Sequence, residues 1–197
     1  MADLIFRYGT MGSSKTADAI MVNYNYRERG LSSIIIKPDG ELRDGFDIVK
    51  SRIGINAKAK TISWLKERVT NMYQEDMWDC IVVDEAQFLS VQDVDFLANI
   101  VDEKDCNVIC YGLRTDFLGN LFEGSARLMA IADIIEEKST VCWCGKKSLF
   151  NARIKNGKIE RFGKQIKYGG NNTYVSLCRK HYNEGMIYNP KEAKEKY

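Results

Sequence analysis

The chain has 197 residues, 45% of them hydrophobic and 28% charged, with a net charge of +2. That length suits one packed domain with an appendage, and the near-neutral balance speaks against the concentrated basic surface that extensive nucleic-acid binding needs. No stretch of about 18 apolar residues offers a membrane span, and Asp3 and Arg7 interrupt the opening apolar run where a signal peptide would carry neither. The default expectation is a cytoplasmic protein, whose six cysteines are then buried, catalytic or metal-bound rather than disulfide-paired.

Leu4–Tyr8 reads as a strand, and Lys15 to Arg29 as a helix ended by Gly30. Between them, Gly9-Thr10-Met11-Gly12-Ser13-Ser14-Lys15-Thr16 is a glycine turn ending in Lys-Thr. A turn of this kind aims successive backbone N–H groups at phosphate oxygens, with the positive end of a helix behind them. Lys15 would reach the outer phosphates and the Thr16 hydroxyl would ligand Mg²⁺. The pattern G-x-x-x-x-G-K-[ST] is met except at Ser14, which stands where a second glycine normally permits unusual backbone angles. An ordinary glycine turn capping a helix is the alternative.

Ser32–Ile36 reads as a buried strand stopped by Pro38-Asp39-Gly40, and residues 39–60 look irregular and polar. Ile62–Tyr73 suits a helix with Ile62, Leu65, Lys66 and Val69 on one face. Cys80–Val83 is a near-continuous apolar run, as in a strand covered on both faces. Asp84-Glu85 follows at its carboxyl end, where open α/β sheets bind ligands. An aspartate there holds nucleotide-bound Mg²⁺, and the glutamate can take a proton from an attacking hydroxyl or water. The alternative is a solvated acidic turn. Ser90 and Asp93 form an N-cap pair for a helix to about Val101, followed by a strand at Asn107–Tyr111, a helix near Glu123–Ala132 and a strand near Ile134–Lys138. Strands separated by helices imply right-handed crossovers and a mostly parallel sheet.

After Lys138 the pattern turns to short β-like runs and glycines. The division expected is 1–138 for a nucleotide-binding domain, 139–190 for a small second domain and 191–197 for a charged tail. Cys80, Cys106 and Cys110 lie in apolar strand patterns and read as buried small hydrophobes. Cys142-Trp143-Cys144 and Cys178-Arg179-Lys180-His181, the latter holding the chain's single histidine, suit a tetrahedral zinc site, although C-x-C is tighter than the usual C-x-x-C. Four protein ligands leave no open position, so such a metal would be structural.

These motifs, in this order, resemble those of the cytosolic-type thymidine kinases from about Leu4 to Tyr182. The matching stretches are Tyr8–Thr16, Ser51-Arg52-Ile53-Gly54, Val83-Asp84-Glu85-Ala86-Gln87-Phe88, Tyr111–Phe117, Cys142–Gly145 and Gly169–Tyr182. The resemblance implies a P-loop NTPase-like (RecA-like) α/β domain, a mostly parallel sheet with helices on both faces, plus a small zinc-ribbon-like lasso domain. It implies that Gly9, Thr10, Met11, Gly12, Ser13, Ser14, Lys15 and Thr16 hold the ATP phosphates, that Thr16 and Asp84 position Mg²⁺, and that Gln87 contacts the nucleotide. Glu85 would be the general base toward the 5′-hydroxyl of thymidine, and Arg52 would stand near the reacting phosphates. Phe88, Leu113, Phe117 and Tyr174 would enclose the nucleoside. Gln165, Ile166, Lys167, Tyr168 and Gly169 would form the segment whose backbone meets the thymine. Cys142, Cys144, Cys178 and His181 would be the zinc ligands. A homotetramer making dTMP for nucleotide salvage, with dTTP as feedback inhibitor, is implied likewise.

The chain departs from the family pattern at Ser14 and at Lys167-Tyr168, where smaller aliphatic residues are usual. The competing readings are a P-loop protein whose zinc ribbon binds nucleic acid, and a weakened kinase relative that retains nucleotide binding.

Overall fold

The computed structural model describes residues 1–41, 45, 47–70, 72–73, 76–165 and 174–188. Strand β1 (Leu4–Tyr8) leads through the glycine turn into α1 (Lys15–Glu28) and on to β2 (Ser33–Lys37). An antiparallel hairpin of β3 (Ile48–Lys50) and β4 (Asn56–Lys58) follows, then β5 (Lys60–Thr61) and α2 (Ile62–Thr70). Next come β6 (Cys80–Val83), α3 (Val91–Lys104), β7 (Asn107–Gly112), α4 (Glu123–Ile131) and β8 (Ile134–Glu137). Six strands form one sheet in the order β5-β2-β6-β7-β1-β8, with every neighbouring pair parallel. This is the expected α/β architecture.

The two-residue alternation of a strand feeds two cores. On β6, Cys80 and Val82 pack with Ala19 and Ile20 of α1, whereas Ile81 and Val83 pack with Leu65, Leu97 and Leu128 of α2, α3 and α4. On β7, Ile109 and Tyr111 join the first cluster, and Val108 and Cys110 the second. Fully burying one Val or Ile side chain is worth roughly 1.5–3 kcal/mol, so the central strands are held from both faces. Cys80, Cys106 and Cys110 are fully buried free thiols, and burial pushes Cys80 and Cys106 up to about 12, which keeps them neutral. Ser90 and Asp93 form the expected capping box. The Ser90 hydroxyl accepts from the Asp93 N–H at 3.1 Å, and the Ser90 N–H donates to Asp93 Oδ2 at 2.9 Å.

Two expectations need correction. Residues 39–60 are not wholly irregular, because the β3–β4 hairpin lies there. Asn56 and Lys58 are exposed, Ala57 is partly buried and Val49 alone of these strands is buried, so no apolar alternation announces them. The helix starting at Ile62 stops at Thr70, three residues early, although Ile62, Leu65 and Val69 do form its buried face.

A second sheet, antiparallel, is built from β9 (Phe150–Lys155), β10 (Lys158–Ile159) and β11 (Tyr174–Leu177) in the order β10-β9-β11, and is followed by α5 (Arg179–Glu184). It has its own small core of Cys142, Ala152, Leu177, Cys178 and Tyr182. Residues 191–197, expected as a charged tail, lie outside the described residues. Among the described residues, no helix is long and apolar enough to cross a membrane.

Candidate active site

The turn after β1, the acid pair after β6 and Leu113 after β7 all lie at carboxyl ends of adjacent or next-adjacent parallel strands, the edge where such sheets bind ligands. The Gly9 N–H donates to the Gly112 carbonyl at 3.2 Å, and a Cβ on Gly9 would stand 2.2 Å from the Lys138 carbonyl oxygen, so the chain admits only glycine there. The loop closes as the Ser13 hydroxyl donates to the Thr10 carbonyl at 2.8 Å. Ser14 adopts φ 60 and ψ 20, a left-handed conformation that glycine takes without strain. The first helical bond of α1 then runs from the Asp18 N–H to the Ser14 carbonyl at 2.9 Å.

That conformation costs a side-chain-bearing residue about 1–2 kcal/mol. Ser14 is exposed, and its side chain makes no capping bond that would offset this. Ser14→Gly is therefore expected to stabilise the fold by up to about 1 kcal/mol, after allowing ~0.4–1 kcal/mol for the extra freedom of the unfolded chain. In a chain of this size that is a rise in Tm of about 2–4 °C, without loss of nucleotide affinity. Thermal melts and nucleotide titrations check this; a lowered Tm contradicts it.

Lys15 folds toward its own loop, its Nζ donating to the Gly9 carbonyl (3.1 Å), the Thr10 carbonyl (2.8 Å) and Ser13 Oγ (3.1 Å). Burial lowers the Lys15 ammonium to about 8; the Glu85 and Asp84 carboxylates oppose this, and Arg52 adds to it. Asp84 is 2% exposed. Burial, and then the Glu85 charge, raises it to about 7 against the pull of the Thr16 hydroxyl that bonds to it and of Lys15. Lys15, Thr16, Asp84, Glu85 and Arg52 thus share one electrostatic field. Asp84 and the Thr16 hydroxyl are hard oxygen donors side by side at the phosphate loop, a donor set that fits Mg²⁺.

Glu85 also sits in the left-handed region (φ 53, ψ 35), where β6 breaks into a short 3₁₀ turn, Ala86–Phe88. Its Oε2 accepts a hydrogen bond from Gln87 Nε2 at 2.5 Å, and Gln87 Oε1 accepts from the Leu113 N–H at 2.9 Å. Gln87, 2% exposed, therefore spans from the glutamate to the end of β7. Arg52 is at the tip of the β3–β4 hairpin, its Nη1 3.8 Å from where a Cβ on Gly12 would lie. Lys37, fully buried at the end of β2, anchors that hairpin: its Nζ donates to the Ile48 carbonyl at 3.2 Å and to the Gly45 carbonyl, and pairs with Glu41 at 3.6 Å.

Of the residues expected around a nucleoside, Phe88 packs edge-on against Phe122 with ring centroids 5.7 Å apart. Leu113 is fixed through its carbonyl, which accepts from the Ser125 hydroxyl at 2.6 Å. Phe117 is buried, Tyr174 pairs with Arg153 across β11 and β9, and Gln165 Nε2 donates to Asp116 Oδ2 at 3.1 Å. Ile166, Lys167, Tyr168 and Gly169 lie outside the described residues.

Three residues to which the sequence assigned no role also reach the loop. Ser148 Oγ lies 2.6 Å from Thr10 Oγ1, Asn151 Oδ1 accepts from the Met11 N–H at 2.7 Å, and the Ser176 hydroxyl donates to the Met11 carbonyl at 2.6 Å. Asn151 and Ser176 are partners across β9 and β11, so one edge of the second sheet holds both ends of residue Met11. Only the strand register reveals this; polar residues inside short strand-like runs are the sole sequence signal.

Cys142, Cys144, Cys178 and His181 gather as expected, their donor atoms all within 4.8 Å of one another. His181 Nδ1 is 3.4 Å from Cys142 Sγ and 3.5 Å from Cys178 Sγ, and the Cys144 and Cys178 sulfurs are 4.0 Å apart. Ligand atoms around tetrahedral zinc stand roughly 3.5–3.8 Å apart, so this set fits a closed zinc site. The Lys146 backbone N–H holds the Cys144 thiol below its ordinary value, toward the thiolate that metals bind. Trp143 stacks on His181 with centroids 3.9 Å apart and planes 13° from parallel, which fixes the imidazole.

A family model described as "Thymidine kinase" matches residues 2–182. A thymidine kinase of Streptococcus pyogenes serotype M3 is 46% identical over 184 residues, covering 92% of this chain and 97% of that protein. One from Shewanella oneidensis is 44% identical over 188 residues (93% and 98%), and one from Francisella tularensis subsp. tularensis is 43% identical over 195 residues (94% and 99%). A solved DNA replication initiation factor aligns over 70% of this chain and 40% of its own with a TM-score of 0.42 and 18% identity, a likeness too loose to bear on function.

Proposed function

This chain belongs to the thymidine kinase family, and from that premise we propose that it transfers the γ-phosphate of ATP to the 5′-hydroxyl of thymidine, giving dTMP and ADP. The observation that carries the reading is the common field of Lys15, Asp84, Glu85 and Arg52 at the carboxyl edge of the sheet. Backbone N–H groups of residues 9–16 and the Lys15 ammonium receive the β- and γ-phosphates, so Lys15 exchanges its loop carbonyls for phosphate oxygens. Thr16 and Asp84 would hold Mg²⁺, which when bound neutralises charge on those oxygens. A Glu85 carboxylate oxygen takes the proton of the 5′-hydroxyl as that oxygen bonds to the γ-phosphorus. The bond from this phosphorus to the β–γ bridging oxygen breaks, and its electron pair leaves with ADP. Arg52 supplies positive charge to the group in transit. Phe88, Leu113, Phe117, Tyr174 and the stretch 165–169 would enclose the nucleoside.

The same reading assigns residues 1–138 to the phosphate-binding domain and 139–190 to a domain stapled by structural zinc, and makes the protein cytoplasmic. It extends to a homotetramer inhibited by dTTP.

The test is a panel of deoxynucleosides assayed with ATP and Mg²⁺. Thymidine should be phosphorylated at about 1–100 s⁻¹, with one ADP formed per dTMP. Failure to phosphorylate any pyrimidine deoxynucleoside, or ATP hydrolysis that depends on added DNA, rejects the reading.

A further inference from the structure

Arg153 is among the most deeply buried side chains of the protein, 1% exposed, and nothing in the reaction proposed above uses it. Its guanidinium carbon lies 3.5 Å from the centroid of the Phe117 ring, a flush stacking distance. Its Nη2 donates to the Lys164 carbonyl at 2.8 Å. Its Nε stands 2.7 Å from Glu160 Oε2, an ion contact rather than an aligned hydrogen bond. Its backbone meets the chain on both sides: its carbonyl accepts from the Glu160 N–H at 2.7 Å, and it lies opposite Tyr174 in the β9–β11 ladder. Gly163, at φ 135, lets the chain pass this close, for a Cβ there would stand 3.2 Å from Arg153 Nη2.

Arg153 therefore meets three residues expected around the nucleoside, its guanidinium touching Phe117 and the carbonyl before Gln165, and its backbone pairing with Tyr174. Phe117 is under its face, Tyr174 is across the ladder, and Gln165 follows the carbonyl it binds. Phe117 is also held through its backbone, since the Tyr182 hydroxyl donates to the Phe117 carbonyl at 2.7 Å. Leaving a buried guanidinium in place demands partners for its donors, and here those partners are the Phe117 ring, the Glu160 carboxylate and the Lys164 carbonyl that leads to Gln165. Lysine cannot reproduce this set: it has the charge, but neither the planar face nor separated donors.

We propose that Arg153 is the positioning residue of the nucleoside pocket, setting thymidine affinity by locking Phe117, Gln165 and Tyr174 into one arrangement, an inference that rests on the thymidine kinase reading above. It acts through those residues and makes no contact with phosphate. Its effect therefore falls on one substrate of the two.

The experiment compares the parent with Arg153→Lys and Arg153→Met by steady-state kinetics in thymidine and in ATP, by thymidine titration calorimetry, and by zinc content and thermal unfolding. Misplacing binding groups by an ångström costs on the order of 10–100-fold, so the thymidine KM and Kd should each rise at least about tenfold, with the ATP KM little changed and zinc retained. An unchanged thymidine Kd, a parallel rise in both KM values, or loss of zinc or of the folding transition in Arg153→Lys overturns the proposal, the last because it marks a merely structural residue. If the parent itself neither binds nor phosphorylates thymidine, the kinase reading falls first; if the parent is active and Arg153→Lys matches it, only this inference falls.

Discussion

Glu85→Gln should lower the rate of thymidine phosphorylation by about 10²–10⁴-fold, the usual contribution of a positioned general base, while ATP binds nearly as before. The geometry makes this substitution unusually clean. Gln87 Nε2 already donates to Glu85 Oε2 at 2.5 Å, and Gln87 is locked in turn by the Leu113 N–H. A glutamine at position 85 satisfies that donor only with its oxygen, which leaves its NH₂ facing the pocket. An NH₂ group donates to the 5′-hydroxyl and cannot accept its proton. The left-handed turn at residue 85 is kept, and the loop N–H groups and Lys15 that receive the phosphates are untouched. Single-turnover formation of dTMP measures the chemical step, and calorimetry with ATP measures binding. Transfer within about tenfold of the parent would falsify the assignment of Glu85 as the base.

Removing zinc should unfold the second sheet and abolish thymidine binding. Its core consists of a few residues around Cys142, Cys178, Ala152, Leu177 and Tyr182, too little apolar surface to hold three short strands by itself. Structural zinc contributes about 10–16 kcal/mol in zinc-finger peptides at neutral pH, far more than this core supplies. Cys178→Ser, or chelation, removes that anchor. The loss spreads beyond the metal, because Asn151 and Ser176 from this sheet hold the Met11 peptide and Tyr182 holds the Phe117 carbonyl. Hydrogen exchange should show protection lost across residues 142–155 and 174–184 while β6 and β7 stay protected, and elemental analysis of the parent should give one zinc per chain. Folded, active protein without zinc contradicts the structural role.

The sheet was legible because burial writes a pattern along the chain. β1, β6, β7 and the capped helix α3 stand where apolar runs and the Ser90–Asp93 pair put them. The hairpin β3–β4 was not, since its residues are mostly exposed and backbone pairing alone defines it. Nor was α5, whose six residues are too few for a helical period. In the site, the glycine turn, the acid pair and the zinc donors were legible because their chemistry demands particular residues at short spacing. The Gln87 bridge and the hold of Asn151 and Ser176 on Met11 were not. The latter depend on register between segments as far apart as 165 positions, which no local pattern encodes. Ser14 fell between these cases: its departure from glycine was visible, but only the structure shows that the serine takes a left-handed backbone.

The order of strands has a consequence for a chain still being made. β7 lies between β1 and β6 in the sheet but follows both in sequence. The strands that carry the phosphate turn and the two carboxylates are therefore set two strand widths apart, roughly 9–10 Å, only once residues 107–112 have slid between them. A nascent chain ending at α3 holds Gly9–Thr16 and Asp84-Glu85 but lacks the strand that spaces them. The spacing of the site is thus given by a strand that itself carries neither the turn nor the carboxylates.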